Sequence, residues 1–426
     1  MFTQPKGNDM SKRILISNLL ILASIALLAV IYFAPIWWVS LTAPNYPPES
    51  FPDGVRIHFH MNGVFNGCKK VARTDIQEEE ALDCVHEMDT INHYVGMYPI
   101  AAGGVVEKAF SPFLLSLLAV MLLGFACTKP KIRVIIMSVG FAAIAIWMYL
   151  YWYGEDGLKY QPAGYIEALV KSMDQDTQRG GEKNQAQGVL EKLKEAVPED
   201  AVSVEEFKSS EDEITRKLAE LGSELVTDEG LGVKVEATEE APVDDPKLAN
   251  IELLRGTFER DQAKKPENER EAWNGSGEQM LRWHYEKSLG RYFNNPAEIK
   301  PMVKKMTTAA HIVFWGILAA MVLLVWGARK TGSLIYWLLI LVPMALPIFF
   351  IIEYSAWLWL YGHNLNAMGA FTVKPFMPTV FGQGKVAQFT THSYPYWGFG
   401  VILLMSALLV VAALLRRKEF KEKGKQ

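Results

Sequence analysis

Two histidines separated by one residue could share a metal ion if the chain between them is a β-strand. In the run Val55–Met61, which contains them, polar and apolar residues alternate. Side chains of a strand point alternately to its two faces, so this pattern predicts Arg56, His58 and His60 on one face. The two imidazoles could then contribute two ligands to one metal ion.

Further soft ligands lie in and after a predicted helix over residues 78–94. His86 and His93 are seven residues apart and therefore share a helical face. Imidazole and thioether ligands together favour copper or zinc. The predicted metal ligands of this outer segment are His58, His60, His86, Met88, His93 and Met97.

The candidate ligands come together only if the strand and the helix pack on each other. We expect that packing to use Ile57, Phe59 and Val85, which would bring the strand histidines near the end of the helix. His363 and His392 form a possible second outer site. The alternative is that these histidines are hydrogen-bonded structural side chains, which is the more common role of histidine.

Cys68 and Cys84 lie on the same polar segment as the candidate ligands. In an oxidising compartment such a pair forms a disulfide, which stabilises a small segment by about 3 kcal/mol in the chain-entropy model. The alternative is a pair of free or metal-bound thiols. Cys127 lies at the end of a predicted span and cannot reach them, and no Cys-x-x-Cys-His motif indicates covalent haem.

Enzyme motifs are missing from the sequence. It contains no P-loop, dinucleotide fingerprint, nucleophile elbow or zincin helix. Catalysis is therefore the third choice among the function classes, and we expect no nucleic-acid partner.

The elements that must position these residues are membrane helices. The 426 residues are 50% apolar and 21% charged with a mean hydropathy of +0.08, which indicates apolar blocks separated by long polar ones. A membrane-spanning helix needs about 20 mostly apolar residues. The stretches that meet or approach this length are Ile14–Phe33, Phe113–Ala126, Val134–Tyr153, Ala309–Trp326, Leu334–Ile352 and Tyr396–Leu415, of which the second is the shortest.

Lysines and arginines predict the orientation. Short basic segments precede the first span and follow the second, fourth and sixth. With six spans all these segments fall on one side, which the positive-inside rule makes the cytoplasm. We therefore predict an all-α transmembrane bundle of about six helices in a bacterial inner membrane. Both termini are cytoplasmic, and the periplasmic loops form a small α+β outer segment and a charged, partly helical outer insertion.

The chain divides at these spans. The predicted parts are a tail with the first span (1–34), the outer His/Met/Cys-bearing segment (35–111), a transmembrane hairpin (112–153), the acidic outer insertion (154–308), a second hairpin (309–353), an outer segment rich in proline and aromatic residues (354–395), and the last span with a basic tail (396–426).

The acidic insertion, partly helical or disordered, contains two predicted helices. One covers Val204–Leu221 and precedes a loose acidic linker over Asp228–Pro246. Ser276, with Gln279 three residues later, matches a capping box and predicts the start of a second helix. The alternative is a solvated spacer with a membrane-packed end.

Several runs of this chain resemble a family of uncharacterised bacterial membrane proteins associated with gene clusters for nitrous oxide reductase and other periplasmic copper proteins. The runs are Trp37–Pro47, Ile91–Met97, Tyr361–Leu365, Pro375–Pro378 and Phe389–Pro395. The resemblance covers about half of the chain and implies a role in copper supply or enzyme maturation. It also implies that His93, Met97 and His363 are motif positions.

Two functions follow from these observations. The first is a membrane-anchored accessory protein that offers copper to a periplasmic copper protein during its maturation. The alternative is a non-catalytic structural or interaction subunit of a membrane complex, in which the same residues pack and form hydrogen bonds. Both functions have the lipid bilayer as a partner.

Overall fold

The computed structural model describes residues 7–69, 82–98, 108–170, 172–173, 245–292, 295–370, 373–386 and 388–423. The contacts discussed below lie within the unit formed by residues 1–173 and 250–426. The helix predicted over Val204–Leu221 and nearly all of the predicted acidic linker lie outside the described residues.

The described residues are mostly helical. In chain order the helices are α1 (Gly7–Phe33), α2 (Cys84–Tyr94), α3 (Ser111–Ala126), α4 (Pro130–Trp152), α5 (Pro246–Ala263), α6 (Gly277–Tyr292), α7 (Pro296–Gly327), α8 (Leu334–Met344), α9 (Leu346–His363) and α10 (Trp397–Lys423). The strands are β1 (Pro35–Thr42), β2 (Val55–His60), β3 (Gly63–Asn66), β4 (Gly382–Val386) and β5 (Phe389–Pro395).

Among the described residues, helices long and apolar enough to cross a membrane occur within α1, α4, α7 and α10. Their exposed faces are apolar, as contact with lipid requires; Val139 and Ile312 are 66% and 68% exposed. By length and composition these four helices are candidate membrane spans, and they indicate a membrane protein. They coincide with the first, third, fourth and sixth predicted spans.

The second and fifth predicted spans do not form single helices long enough to cross a bilayer. Helix α3 has only 16 residues, or about 24 Å at 1.5 Å per residue, which is less than the roughly 30 Å of a bilayer core. The fifth span is a pair of helices, α8 and α9, bent by 66°. Pro343 and Pro347 flank the break, and each removes a backbone N–H that a continuous helix would use. The count of six spans stays a prediction.

The predicted basic segments meet at one end of the bundle. Arg13 pairs with Glu422 at 2.8 Å, which joins the start of α1 to the end of α10. Arg416 Nη2 donates to the carbonyl oxygen of Ala126 at 2.9 Å and so joins α10 to the end of α3. The side of the membrane that this end faces stays a prediction.

A five-stranded antiparallel sheet lies at the opposite end of α1 and α10. Its strand order is β3-β2-β1-β5-β4. Strand β1 begins directly after α1, and β5 leads directly into α10, so the packed pair of helices continues as a pair of strands. Tyr396 N donates to the carbonyl oxygen of Ile36 at 2.8 Å where strands become helices. This junction fixes the sheet on the bundle.

One helix of the charged insertion begins as predicted. Gln279 N donates to Ser276 Oγ at 3.2 Å, and helix α6 follows from Gly277. Gln279 Oε1 accepts from the backbone N–H groups of Asn274 and Gly275, at 2.9 and 3.2 Å. The side chains therefore satisfy donors at the helix start that have no partner within the helix.

Candidate functional site

The strand predicted around the paired histidines is present. In β2, Val55 and Ile57 are 0% and 1% exposed, whereas Arg56 and His58 are partly exposed. Trp38 pairs with His58 on one side and with Tyr394 on the other, so these three side chains form a row across one sheet face. The alternation of the sequence thus predicted the two faces of β2 correctly.

The inner face of the sheet packs against α2 and α9. Ile57, Met88 and Leu358 belong to one buried cluster, and Phe59 and Val85 pack at its edge. The predicted packing of strand and helix through Ile57, Phe59 and Val85 is therefore confirmed. Because side chains alternate along a strand, the same packing turns His58 and His60 toward the other, outer face.

The predicted copper ligands are consequently distributed over different surroundings. Met88 is 2% exposed beneath the sheet. His60 Nδ1 donates to the carbonyl oxygen of Phe33 at 3.0 Å, at the end of α1. His86 and His93 lie in the first and last turns of α2. Within the described ranges, no group of three or more His, Cys, Asp or Glu residues is placed to hold a metal ion.

The two residues of the possible second site, His363 and His392, lie in different elements. His363 ends α9, where its Nδ1 donates to the carbonyl oxygen of Trp359 at 2.9 Å and its ring stacks on the Trp359 ring. His392 lies in the middle of β5, paired with Ser40 and Gln383. His363 therefore makes a hydrogen bond of the kind expected under the alternative, and a second outer site formed by His363 and His392 stays a prediction.

Cys68 and Cys84 form a disulfide with a Cα–Cα distance of 6.0 Å. The bond ties the residues after β3 to the first residue of α2, so it holds the helix beneath the sheet. Neither sulfur is a thiolate ligand, and the metal-thiolate alternative is wrong. Cys127 is a free thiol, as predicted.

The outer sheet face carries a cluster of aromatic side chains around one arginine. We call Trp38, Arg56, His58, Tyr394 and Tyr396 the aromatic face. The Arg56 guanidinium carbon lies 4.2 Å from the centroid of the Trp38 ring and 5.5 Å from that of Tyr396. The His58 ring stacks on Tyr396 at 5.1 Å, and Trp38 lies 5.4 Å from Tyr394. Cation–π contacts of this kind hold a guanidinium in a fixed orientation.

The electrostatics of the aromatic face keep its histidine neutral. Burial lowers the pKa of His58 to about 4, and the positive charge of Arg56 acts in the same direction, as does His60. His58 Nε2 is buried without a hydrogen-bond partner among the described residues. Asp53 lies 3.7 Å from Arg56 and 2.8 Å from Lys69, so two cations share one carboxylate there. The face therefore has a local excess of positive charge.

The sequence analysis did not predict that Tyr394 and Tyr396 belong to the aromatic face. Tyr394 and Tyr396 border the last span, and aromatic residues at a span are typical of any membrane interface. The sequence predicted alternation over Val386–Thr391, but nothing local indicated that this strand pairs with β1. The signal that could have found it is symmetry, because a pair of aromatic residues follows the first span (Trp37 and Trp38) and another pair lies at the start of the last (Tyr394 and Tyr396).

Comparison with known proteins identified no relative of this chain. The chain matches no protein-family model, no curated protein and no solved structure. The resemblance to the copper-associated membrane family stays a prediction.

Proposed function

We propose that this chain is a non-catalytic, membrane-anchored interaction subunit whose aromatic face docks a partner protein. The observation that carries the proposal is the arginine held between Trp38 and Tyr396 on the outer face of a sheet fixed to the bundle. Tryptophan, tyrosine and arginine are the residues that most often dominate binding energy in protein interfaces.

The anchoring of the sheet supports docking. Trp37, on the inner face, packs its ring within 5.7 Å of the Tyr354 and Phe399 rings and donates from Nε1 to Ser393 Oγ at 2.8 Å. This anchoring holds the neighbouring Trp38 and its row in place. A preorganised surface loses little conformational entropy when a partner binds.

The charge of the face defines the partner. Arg56 is 18% exposed and shares Asp53 with Lys69. Its guanidinium therefore retains N–H donors that could bind a carboxylate of a partner protein. We expect the partner to be a protein that places a carboxylate on Arg56 and apolar surface on Phe381, which is 66% exposed and lies 5.7 Å from Tyr394.

Copper handling is supported less well by this geometry. The inner-face packing that buries Met88 separates it from His58 and His60. The function of copper supply to a periplasmic enzyme, including nitrous oxide reductase, stays a prediction. It would regain support if the partner that docks on the aromatic face were itself a copper protein.

Site-specific photocrosslinking tests the docking proposal. A photoreactive amino acid at Tyr394 in native membranes should give a defined protein adduct, and the same probe at Val139 on α4 serves as a control that faces lipid. Arg56→Ala should lower the adduct yield roughly thirty-fold, because a hot-spot arginine contributes about 2 kcal/mol. Arg56→Lys should give an adduct yield between those of Arg56→Ala and the unchanged protein, since lysine lacks the planar guanidinium group.

A further variant separates docking from folding. Arg255→Ala removes an arginine that is about half exposed and paired with Glu259 on α5, and it should leave the adduct unchanged. Each variant must retain the Cys68–Cys84 disulfide. Adducts that contain only lipid, or the same protein adducts from positions 394 and 139, would contradict the proposal.

A further inference from the structure

A polar cavity of about 390 Å³ lies between helices α6 and α7, and its described lining residues all belong to these two helices. Its wall on α7 carries Lys300, Lys304 and His311, and its wall on α6 carries Arg282 and Glu286. Small-molecule sites in proteins typically have about 300–1,000 Å³. The cavity therefore has room for a small organic molecule.

The basic wall follows from the spacing of residues along α7. Lys300, Lys304 and Thr308 are four residues apart, and His311 follows three residues later. Residues three or four apart share one face of a helix. Lys305, by contrast, is exposed and is not among the lining residues. The sequence therefore places positive charge on the face of α7 that lines the cavity.

The charged groups of the lining leave it with an excess of positive charge. Arg282, Lys300 and Lys304 are three cations, and Glu286 is the one carboxylate among the described lining residues, so their formal charge is +2. Glu286 also accepts a hydrogen bond from Lys265 Nζ at 2.9 Å. The excess favours an anionic ligand, and most of all one with two negative charges.

Two carboxylates outside the lining hold Arg282 in place. Glu271 accepts from Arg282 Nη1 at 2.7 Å, and Glu278 Oε1 lies 3.2 Å from Arg282 Nε. Within the described part of the chain, Nη2 makes no hydrogen bond. A guanidinium has five N–H donors, so the two on Nη2 are available to oxygen atoms of a ligand. An arginine fixed in this way loses little side-chain entropy when it binds an anion.

The two lysines have donors to spare as well. Lys300 lies 3.2 Å from Glu269, and the two side chains are 61% and 49% exposed. Exposed ion pairs contribute little to stability. Lys304 makes no ion pair within the ranges that the structure describes. Two ammonium groups four residues apart on a helix repel each other, and a bound anion would offset that repulsion.

His311 adds a further N–H donor to the wall on α7. The Tyr153 hydroxyl lies 2.8 Å from His311 Nδ1, and Glu278 Oε1 lies 3.9 Å from His311 Nε2. A carboxylate beside Nε2 favours the tautomer with its proton there, so the Tyr153 hydroxyl donates to Nδ1. The His311 ring also stacks on the Tyr153 ring, with 5.7 Å between the centroids. The orientation of this donor is therefore fixed.

We infer that the cavity between α6 and α7 binds a phosphate monoester, with the phosphate group on Arg282, Lys300 and Lys304. A phosphate monoester has about two negative charges at neutral pH and three terminal oxygens that accept hydrogen bonds. This matches the charge and the donors of the lining better than a single carboxylate, which has one charge and two oxygens. The inference does not depend on the docking proposal, because the cavity and the aromatic face share no described residue.

Isothermal titration calorimetry tests the site with glycerol 3-phosphate as the probe. The full chain in phosphatidylcholine nanodiscs should bind this probe saturably with a Kd below about 1 mM. Glycerol, which lacks the phosphate, should give no binding heat. Lys304→Ala should weaken binding at least about tenfold, because it removes a charged donor. Lys305→Ala is the matched control, since it removes an equal charge at the next residue, and should leave the Kd unchanged.

A change of lipid identifies the source of the phosphate group. The titration is repeated in nanodiscs that contain phosphatidic acid, whose headgroup is a phosphate monoester, and in nanodiscs that contain phosphatidylglycerol, whose negative charge comes from a diester. If the natural ligand is the lipid headgroup, phosphatidic acid should raise the Kd of the probe severalfold above the phosphatidylglycerol value. Equal values in the two membranes indicate a soluble phosphate ester, and both results support the site.

A conservative variant separates the loss of the cation from a loss of folding. Lys304→Arg keeps the charge and should bind the probe within about threefold of the unchanged chain. Retention of the Cys68–Cys84 disulfide and an unchanged elution volume show that each variant is folded. No saturable binding of glycerol 3-phosphate, equal Kd values for Lys304→Ala and Lys305→Ala, or equal binding of glycerol would overturn the inference.

Discussion

Arg133 Nη1 donates to the carbonyl oxygen of Ala328 at 3.1 Å, and Arg133 Nη2 donates to that of Cys127 at 2.8 Å. One fully buried guanidinium therefore binds the carbonyl ends of two helices, α3 and α7. Helix C-termini carry partial negative charge and unpaired carbonyls, so a cation placed there stabilises both. The Tyr336 ring covers the guanidinium at 4.3 Å.

Replacement of Arg133 should destabilise the bundle strongly. Arg133→Ala leaves several carbonyls without donors, and we expect a loss on the order of 3 kcal/mol in unfolding free energy. Thermal unfolding in detergent measures it. Arg329→Ala, at an exposed position in the turn that contains Ala328, is the matched control. Equal melting temperatures for the two variants would show that Arg133 has no capping role.

Reporter fusions test the orientation. Fusions after Gly154 and after His363 should be active outside the cytoplasm, and fusions after Pro130 and after Arg417 inside it, because the basic segments should stay cytoplasmic. The structure adds that the last two positions belong to the same end of the bundle. An inside result for either outer position would refute the six-span topology.

Thiol labelling tests the disulfide. Cys68 and Cys84 should resist a maleimide until a reductant is added, whereas Cys127 should have a free thiol once the protein is unfolded. Replacement of both paired cysteines by serine should lower stability by about 3 kcal/mol. Cys127→Ser is the control and should have a much smaller effect. Labelling of Cys68 in the folded, unreduced protein would contradict the bond.

The sheet should lose stability as the pH falls. The pKa of His58 is about 4 in the folded chain and 6.5 as the ordinary value, mainly because of burial. Between these values the unfolded chain binds the proton and the folded one does not, so stability is full above pH 6.5 and falls toward pH 4. His58→Gln should flatten the melting-temperature profile over this window. Equal slopes for His58→Gln and the unchanged protein between pH 6.5 and pH 4 would contradict this prediction.

Metal analysis compares the two sequence-based functions. The dispersed ligands predict that purified protein retains much less than one copper ion per chain after dialysis against a weak chelator. Elemental analysis provides the measurement. One copper ion per chain, lost in His93→Ala while membrane insertion is intact, would favour copper handling over docking.

Local patterns predicted local structure well. The alternation at Val55–His60 and the capping residues Ser276 and Gln279 act within a few residues, and the corresponding elements formed. The apolar stretches predicted where helices lie, and Pro343 and Pro347 mark the break between α8 and α9, but they do not indicate how α9 packs beneath the sheet. The sequence alone does not specify that packing.

The candidate site depended on contacts between distant parts of the chain. The same alternation that puts His58 and His60 on one face makes the other face pack on α2, so the histidines and Met88 had to separate. This consequence was available from the sequence. The pairing of β1 with β5, which completes the aromatic face, was not, because no local pattern indicates which distant strand is the partner.

The sheet order has a consequence for synthesis of the chain. Trp37 and Ser393, which form a hydrogen bond between neighbouring strands, are 356 residues apart. At about 5–20 residues per second, β1 waits roughly 20–70 s for its partner after it leaves the ribosome. During that time its hydrogen-bonding edge is open, and an open edge is a template for pairing with another chain. Assembly of this protein in crowded membranes should therefore be most vulnerable before its last span is made.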